Sequence, residues 1–230
     1  QADKDHDQCL CSGGGNRYVI RDGVPVFLRD NQVQGRNLKY QRLYDSFAPF
    51  YDPVQRFVYW FFGGEARARS EYLDHIEVKP GDAVLEVSVG TGGNIRFLRR
   101  DAEYFGLDIS WGQLQQCVRN QARYGFKVRL VQGEAEYPPF RDASFDVVFH
   151  VGGINFFNDK AKAVAEMVRV AKPGTKIVII DETEQVATLG ERLPFAKRFF
   201  KNRRQICAPV DCIPSGMTDV KVTYLAGGHL

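Results

Sequence analysis

Residues 84–95 read V-L-E-V-S-V-G-T-G-G-N-I. An apolar run of β-type residues enters a glycine-rich turn. Such a run, bounded by glycine, predicts a strand buried in a sheet. Glycine lets the backbone take positive φ and approach a ligand closely. A strand, a glycine turn and a following helix together form a cradle for a nucleotide. The dinucleotide fingerprint G-x-G-x-x-G needs three glycines. Here Gly90 and Gly92 supply the first two, and Ile95 stands at the third place.

Outward from this stretch, strand-like and helical patterns alternate. Strands are predicted at Ala83–Val87, Tyr104–Leu107, Lys127–Val131, Phe145–His150 and Lys176–Ile180, and helices at Asn94–Arg100, Trp111–Tyr124 and Lys160–Ala171. Alternation of this kind implies an α/β fold: a doubly wound, mostly parallel, Rossmann-like sheet with right-handed crossovers. A last strand is expected at Val220–Leu225, with its partner, the final strand of the sheet, missing from the chain.

Upstream, residues 1–16 are polar and glycine-rich and read as loop. "YVIRDGVPVFL" (18–28) places Asp22-Gly23 between two apolar runs, a strong hairpin signal. Residues 38–73 carry apolar and aromatic residues at helical spacing, with breaks expected at Pro49 and Pro53. The predicted organisation is a tail and hairpin (1–37), a helical lid segment (38–80) and a ligand-binding core (81–230).

The whole chain narrows the classes. Its 230 residues suit one domain with a small appendage. A net charge of +3, with acids and bases well mixed, gives no basic footprint, so nucleic acid is not the expected partner. Five cysteines without disulfide-like spacing point to a reducing compartment, and the expected location is the cytoplasm. No run is long enough to span a membrane. The chain begins at Gln1 rather than Met, which leaves targeting open.

The next strand, "AEYFGLDIS" (102–110), ends in Asp108, 18 residues after Gly90. A carboxylate there can accept both ribose hydroxyls of an adenosine. Two cofactors fit, a dinucleotide and S-adenosylmethionine (SAM). The absent third glycine weighs against the dinucleotide. So does Glu86, which would repel a pyrophosphate but favour a sulfonium and an ammonium. The plainer alternative is that Glu86 only hydrogen-bonds N–H groups of the turn.

Five segments in order now resemble the class I SAM-dependent methyltransferases, closest to the ubiquinone/menaquinone-biosynthesis (methyltransferase type 11) group. "VLEVSVGTGGN" is similar to the first motif E-x-G-x-G-T-G-x-N, and "YFGLDIS" to the second. "VQGEAEYPPFRDASFDVV" resembles G-D-A-x-x-L-P-F-x-D-x-S-F-D-x-V. "EMVRVAKPGTKIVIID" resembles E-x-x-R-V-L-K-P-G-G with its strand, and "YDSFAPFYDPVQRF" the upstream Y-D-x-x-A-x-x-Y-D. The resemblance spans roughly residues 40–225. It implies SAM as cofactor. The implied contacts are Tyr44, Tyr51, Glu86, Ser88, Gly90, Gly92, Asp108, Ile109, Glu134, Ala135 and His150. Glu134 would meet the adenine amino group and Ala135 would offer its backbone, while Tyr44 and Tyr51 would cap the pocket or pack as an aromatic stripe. Ser88 departs from the pattern by replacing its first glycine. Asp146 reads as structural.

Cys9-x-Cys11, ahead of the hairpin, resembles the remnant of a zinc ribbon fused to some bacterial methyltransferases. A closed zinc site needs four ligands, only two are present, and no metal is expected. "FVYWFFGG" (57–64) exceeds what one helix face must bury. It reads as packing on the sheet, as a lid or lipophilic wall, or, through residues 57–62, as a peripheral membrane contact. Arg56, Arg67 and Arg69 read as a solvated helix face. "HVGGINFF" (150–157) follows the fourth strand, where His150 is a candidate catalytic base or a structural histidine and Asn155 a candidate to orient substrate. The expected activity is methyl transfer to a small or lipophilic acceptor, quinone-like or lipid-like. An RNA or protein acceptor, a SAM-binding module without turnover and a nicotinamide oxidoreductase are the alternatives. Oligomeric state is not legible.

Overall fold

The structure is a computed structural model that describes residues 6–10, 17–28, 33–61, 63–192 and 205–225. In chain order it forms β1 (His6–Leu10), β2 (Arg17–Arg21), β3 (Val24–Val26), α1 (Gly35–Trp60), α2 (Glu65–Leu73), β4 (Ala83–Val87), β5 (Glu103–Asp108), α3 (Trp111–Tyr124), β6 (Arg129–Gln132), β7 (Val147–Val151), α4 (Lys160–Val170), β8 (Ile177–Ile180) and α5 (Glu184–Arg192). One sheet holds every strand in the order β1-β2-β3-β6-β5-β4-β7-β8. From β3 to β8 the pairs are parallel, and β1, β2 and β3 pair antiparallel.

The predicted doubly wound sheet is therefore present. Strand β4 is buried on both faces, with Val84 in one apolar layer and Leu85 and Val87 in the other. That explains its unbroken apolar run. Strand order reverses between β4, β5 and β6 on one side and β7 and β8 on the other. Ligands of open parallel sheets bind at such a switch, beyond the carboxyl ends of the strands.

The hairpin forms at Asp22-Gly23, whose φ angles of 48° and 77° suit the tight turn. It is continuous with the core sheet, since β3 pairs with β6 and the Phe27 N–H donates to the Gln132 carbonyl at 2.8 Å. Residues 6–10, expected as loop, pair with β2 instead. The exposed edge of a hairpin offers a ladder of backbone groups that a polar segment can join. Cys11 and the Cys9 side chain, and with them the zinc-ribbon reading, lie outside the described residues, as does Phe62.

Three further expectations change. The segment Asn94–Arg100 is one 3-10 turn at Ile95–Phe97 and not an α-helix. The Asn94 side chain is committed to tertiary partners, and Leu98 is already extended. The turn therefore has no long helix behind it. Val220–Leu225 forms no strand because no neighbouring strand among the described residues completes its ladder; Val220, Val222 and Tyr224 are exposed.

Pro49 and Pro53 lie inside a continuous α1. Packing on α3 overrides the loss of their N–H groups. Asp45 Oδ1 accepts from Ser110 Oγ and from the Gly112 N–H, at 2.6 and 2.8 Å. Asp52 accepts from Thr91 Oγ1 at 2.6 Å and Asn120 Nδ2 at 2.7 Å. Gly112 makes the approach possible, because a Cβ there would stand 2.9 Å from the Asp45 carbonyl oxygen and 3.0 Å from Ala48 Cβ. Gly112→Ala should therefore lower stability by about 1–3 kcal/mol. A urea midpoint equal to that of the parent protein would show that α1 does not depend on this contact.

Candidate functional site

A cavity of about 830 Å³ opens at the switch point. Its floor is the end of β4 and the turn after it. Ser88 stands first in that turn at φ 61°, followed by Gly90 at 54° and Gly92 at 75°. Ser88 thus holds a backbone conformation that glycine adopts without penalty, at a cost of order 1 kcal/mol. Gly92 serves packing, since a Cβ there would meet Cys117 Sγ at 2.7 Å and the Phe126 ring at 2.8 Å.

Asp108 closes one side. Its Oδ2 accepts the Gly90 N–H and its Oδ1 the Ser110 N–H, each at 2.8 Å. One carboxylate therefore ties the glycine turn to the start of α3. Burial pushes its pKa up to about 6 against these bonds. Gln113, on the first turn of α3, lines the same wall. Both polar atoms of its carboxamide are buried without a partner. An unmade pair of hydrogen bonds facing a cavity is a docking point for a polar ligand.

Of the residues named from sequence, Tyr44, Tyr51, Ser88, Gly90, Asp108, Ile109 and Ala135 wall the cavity. The structure places five others elsewhere. Gly92 is behind the turn. Glu134 is buried, and the Asn37 amide bridges its Oε1 to Glu136 Oε1 at 2.9 and 3.0 Å. His150 is fully buried in β7 with Nδ1 2.9 Å from the Val87 carbonyl, and burial lowers its pKa, so the ring stays neutral. It is not among the residues that wall the cavity, and its Nε2 is buried without a partner. Asn155 is likewise committed, donating to Asp181 Oδ2 at 2.9 Å and the Cys207 carbonyl at 3.1 Å.

Glu86, the fifth, is fully buried beneath the turn. Neither sequence reading of it holds unchanged. Oε1 accepts from the Asn94 side chain at 2.6 Å, not from turn N–H groups, and Oε2 has no partner. Asn94 Oδ1 in turn accepts from Arg69 and from Tyr72, the latter at 2.9 Å. Arg69 was expected at a solvated face but is 4% exposed, and it also holds Glu65 at 3.0 Å and Gln55 at 2.9 Å. It walls the cavity beside Gly93. Nothing in local spacing separates it from Arg56 and Arg67. Asp181, at the end of β8, was also missed. It accepts the Gly153 N–H at 2.7 Å and lines the cavity. An acid ending a parallel strand, the feature that singled out Asp108, was available in "VIID" as well.

The acceptor side of the cavity is aromatic. Tyr44 and Tyr51 meet edge to face at 6.2 Å between ring centroids. Burial drives both phenol pKa values upward, so each keeps its proton.

Residues 85–179 match the model of a protein family described as "Methyltransferase domain". These residues carry a methyltransferase domain. A demethylmenaquinone methyltransferase of Renibacterium salmoninarum is 34% identical over 140 residues, covering 60% of this chain and 56% of the relative. A phthiotriol/phenolphthiotriol dimycocerosates methyltransferase of Mycobacterium ulcerans is 38% identical over 110 residues, 46% of this chain and 40% of the relative. The chain thus spans about half the length of these curated relatives. A Thermotoga maritima structure described as a SAM-dependent methyltransferase, "possible histamine N-methyltransferase", superposes with a TM-score of 0.51 at 26% identity, over 73% of this chain and 76% of that one.

The cofactor of such a methyltransferase domain is SAM, and the choice between SAM and a dinucleotide falls accordingly. The residues fit it. The domain presents a partly buried carboxylate, an unpartnered carboxamide and a close-approaching backbone turn around one cavity. Among the described residues, no group of His, Cys, Asp and Glu could hold a metal, and no helix is long and apolar enough to cross a membrane.

Burial pushes Glu86 from the usual 4.5 up to about 8. A carboxyl raised in the folded state costs stability as pH climbs from its unfolded to its folded value. Glu86 acts between about pH 4.5 and 8, and Asp108 between about 3.8 and 6. Between pH 6 and 8, therefore, the parent should lose about 2 kcal/mol of stability that Glu86→Gln retains. Urea titrations across that range test it; parallel pH profiles for the two proteins would refute a buried, proton-holding Glu86.

Proposed function

We propose that the chain binds SAM at the β4 turn and transfers its methyl group to a small lipophilic acceptor, quinone-like or lipid-like. The observation that carries the reading is one cavity walled both by Asp108 and Gly90 and by Tyr44, Tyr51, Val58 and Phe61. The names of the relatives, demethylmenaquinone and phthiotriol dimycocerosates methyltransferases, support a lipophilic acceptor.

Bound SAM supplies an electrophilic methyl group on a sulfonium. The residues of the chain bind, orient and exclude water. Asp108 accepts hydrogen bonds from the ribose hydroxyls through lone pairs that its two backbone N–H donors leave free. Ile109 and Ala135 flank the adenine, and the Gln113 carboxamide gains the partner it lacks. Transfer between two bound groups depends chiefly on alignment, and holding both in one cavity supplies it. The protonated Tyr44 and Tyr51 donate hydrogen bonds to acceptor or cofactor oxygens. No base is assigned to His150.

Asp108 must be ionised to accept both ribose hydroxyls. Affinity for S-adenosylhomocysteine (SAH) should therefore fall by about tenfold per pH unit below about pH 6. Asp108→Asn should weaken binding at pH 7.5 by at least about tenfold. Calorimetry reads both, and SAH affinity untouched by the substitution would remove Asp108 from the site. Methyl-labelled SAM in a cell extract tests the acceptor, with label expected in the lipid fraction. Label in RNA or protein would replace the lipophilic acceptor, and intact SAH binding with no label anywhere would leave a binding module without turnover.

A further inference from the structure

We infer that the outward face of α1 is a docking surface for an anionic lipid bilayer, set beside the mouth of the cavity. The inference rests on the reading of a lipophilic acceptor and extends it to where that acceptor is met.

The helix carries Phe47, Phe50, Val54, Phe57 and Phe61 at alternating spacings of three and four residues. That spacing makes one stripe along a helix. In most helices the stripe faces the core. Here Phe50 is 62% exposed, Phe57 64% and Phe61 66%, and Trp60 beside them is 70% exposed. The aromatic segment therefore does not pack on the sheet. Phe57 and Phe61 meet edge to face at 5.3 Å, and Trp60 and Phe61 at 5.1 Å. An exposed aromatic cluster of this size marks an interaction surface.

Charge selects the partner. Helix α1 holds just two acids, Asp45 and Asp52, and both are turned inward and bonded to α3 or the glycine turn. Its exposed charged residues are cations, Lys39, Arg42 and Arg56. An aromatic face flanked by the cations of α1, with both acids of that helix turned inward, complements an anionic headgroup layer with an apolar interior. It suits a twofold pairing of this chain less, because α1 against itself would set these cations near one another.

Position supplies the second argument. Val58 and Tyr59 at this end of α1, and Phe61 and Gly63 just beyond it, belong to the cavity wall. Phe50, Phe57 and Trp60 lie outside the wall, so the exposed face adjoins the mouth without being part of the site. A lipophilic molecule could pass from a bilayer into the cavity along this edge without crossing water, whose cost rises with apolar area.

Sedimentation of the full chain with vesicles tests this, using phosphatidylcholine alone and phosphatidylcholine mixed with phosphatidylglycerol. The protein should pellet with the mixed vesicles, less with the neutral ones, and less again as salt rises. The combined substitution Phe57→Ser and Trp60→Ser should weaken binding at least about tenfold while SAH affinity stays unchanged. The combined Arg42→Glu and Arg56→Glu should abolish the preference for phosphatidylglycerol. Parent protein left in the supernatant with both vesicles, or serine and parent proteins that pellet alike, would overturn the inference. So would a parent dimer in the ultracentrifuge that ignores vesicles and that the serine substitutions dissociate, which makes the face a self-interface. If the parent binds vesicles but not SAH, the cofactor reading fails and the docking surface stands.

Discussion

The site is organised around a buried carboxyl that local structure alone would not tolerate. Glu86 lies in the middle strand of the sheet, without solvent, directly under the glycine turn. An isolated carboxylate there would cost several kcal/mol. Asn94 relieves it from above, donating to Glu86 while its carbonyl oxygen accepts from Arg69 and Tyr72. That arrangement fixes the orientation of the amide. It also commits Arg69, which brings α2 over the turn and reaches α1 through Gln55. The lid segment is thereby held by the same polar chain that stabilises the floor.

A second set of acids does the equivalent work on the other side of α1. Asp45 caps α3 through Ser110 and Gly112, and Asp52 joins the Thr91 hydroxyl to Asn120. Asp45 and Asp52 straddle Pro49, and Asp52 with Gln55, which Arg69 holds, straddles Pro53. A helix interrupted by proline loses backbone bonds worth about 3 kcal/mol each time, and tertiary anchors that straddle the break can offset the loss. Turning both acids inward has a geometric consequence. The face left outward has aromatics and cations and no negative charge.

How much of this was legible follows from which forces are local. Strand Ala83–Val87 and helix Trp111–Tyr124 have the ends predicted, because burial on both faces and a Ser110 cap with a Gly125 terminus are written in adjacent residues. The hairpin turn was equally local. Arg69 was not legible, since its burial depends on Asn94 and Glu86, whose sequence positions are distant. The failed helix at 94–100 has the same origin: the side chain of Asn94 answers to the sheet below it and not to its neighbours in sequence. Val220–Leu225 has strand-like residues, but a strand exists only with a partner, and alternation cannot say whether one is there. The role of His150 was not legible, because an imidazole at a strand end looks the same in sequence whether it faces a ligand or bonds, as Nδ1 does here, a backbone carbonyl.

His150 bonds a backbone carbonyl through Nδ1 and is not in the wall, which is made by Asp108 and Asp181, each holding backbone N–H groups, by Tyr44 and Tyr51, kept protonated by burial, and by Glu71, Glu136, Glu182, Arg67 and Arg69. Asp108 is occupied by Gly90 and Ser110, and Asp181 by Gly153. These bonds fix the walls before any ligand arrives, so little reorganisation remains for binding to drive. A site built this way is suited to holding two molecules in line.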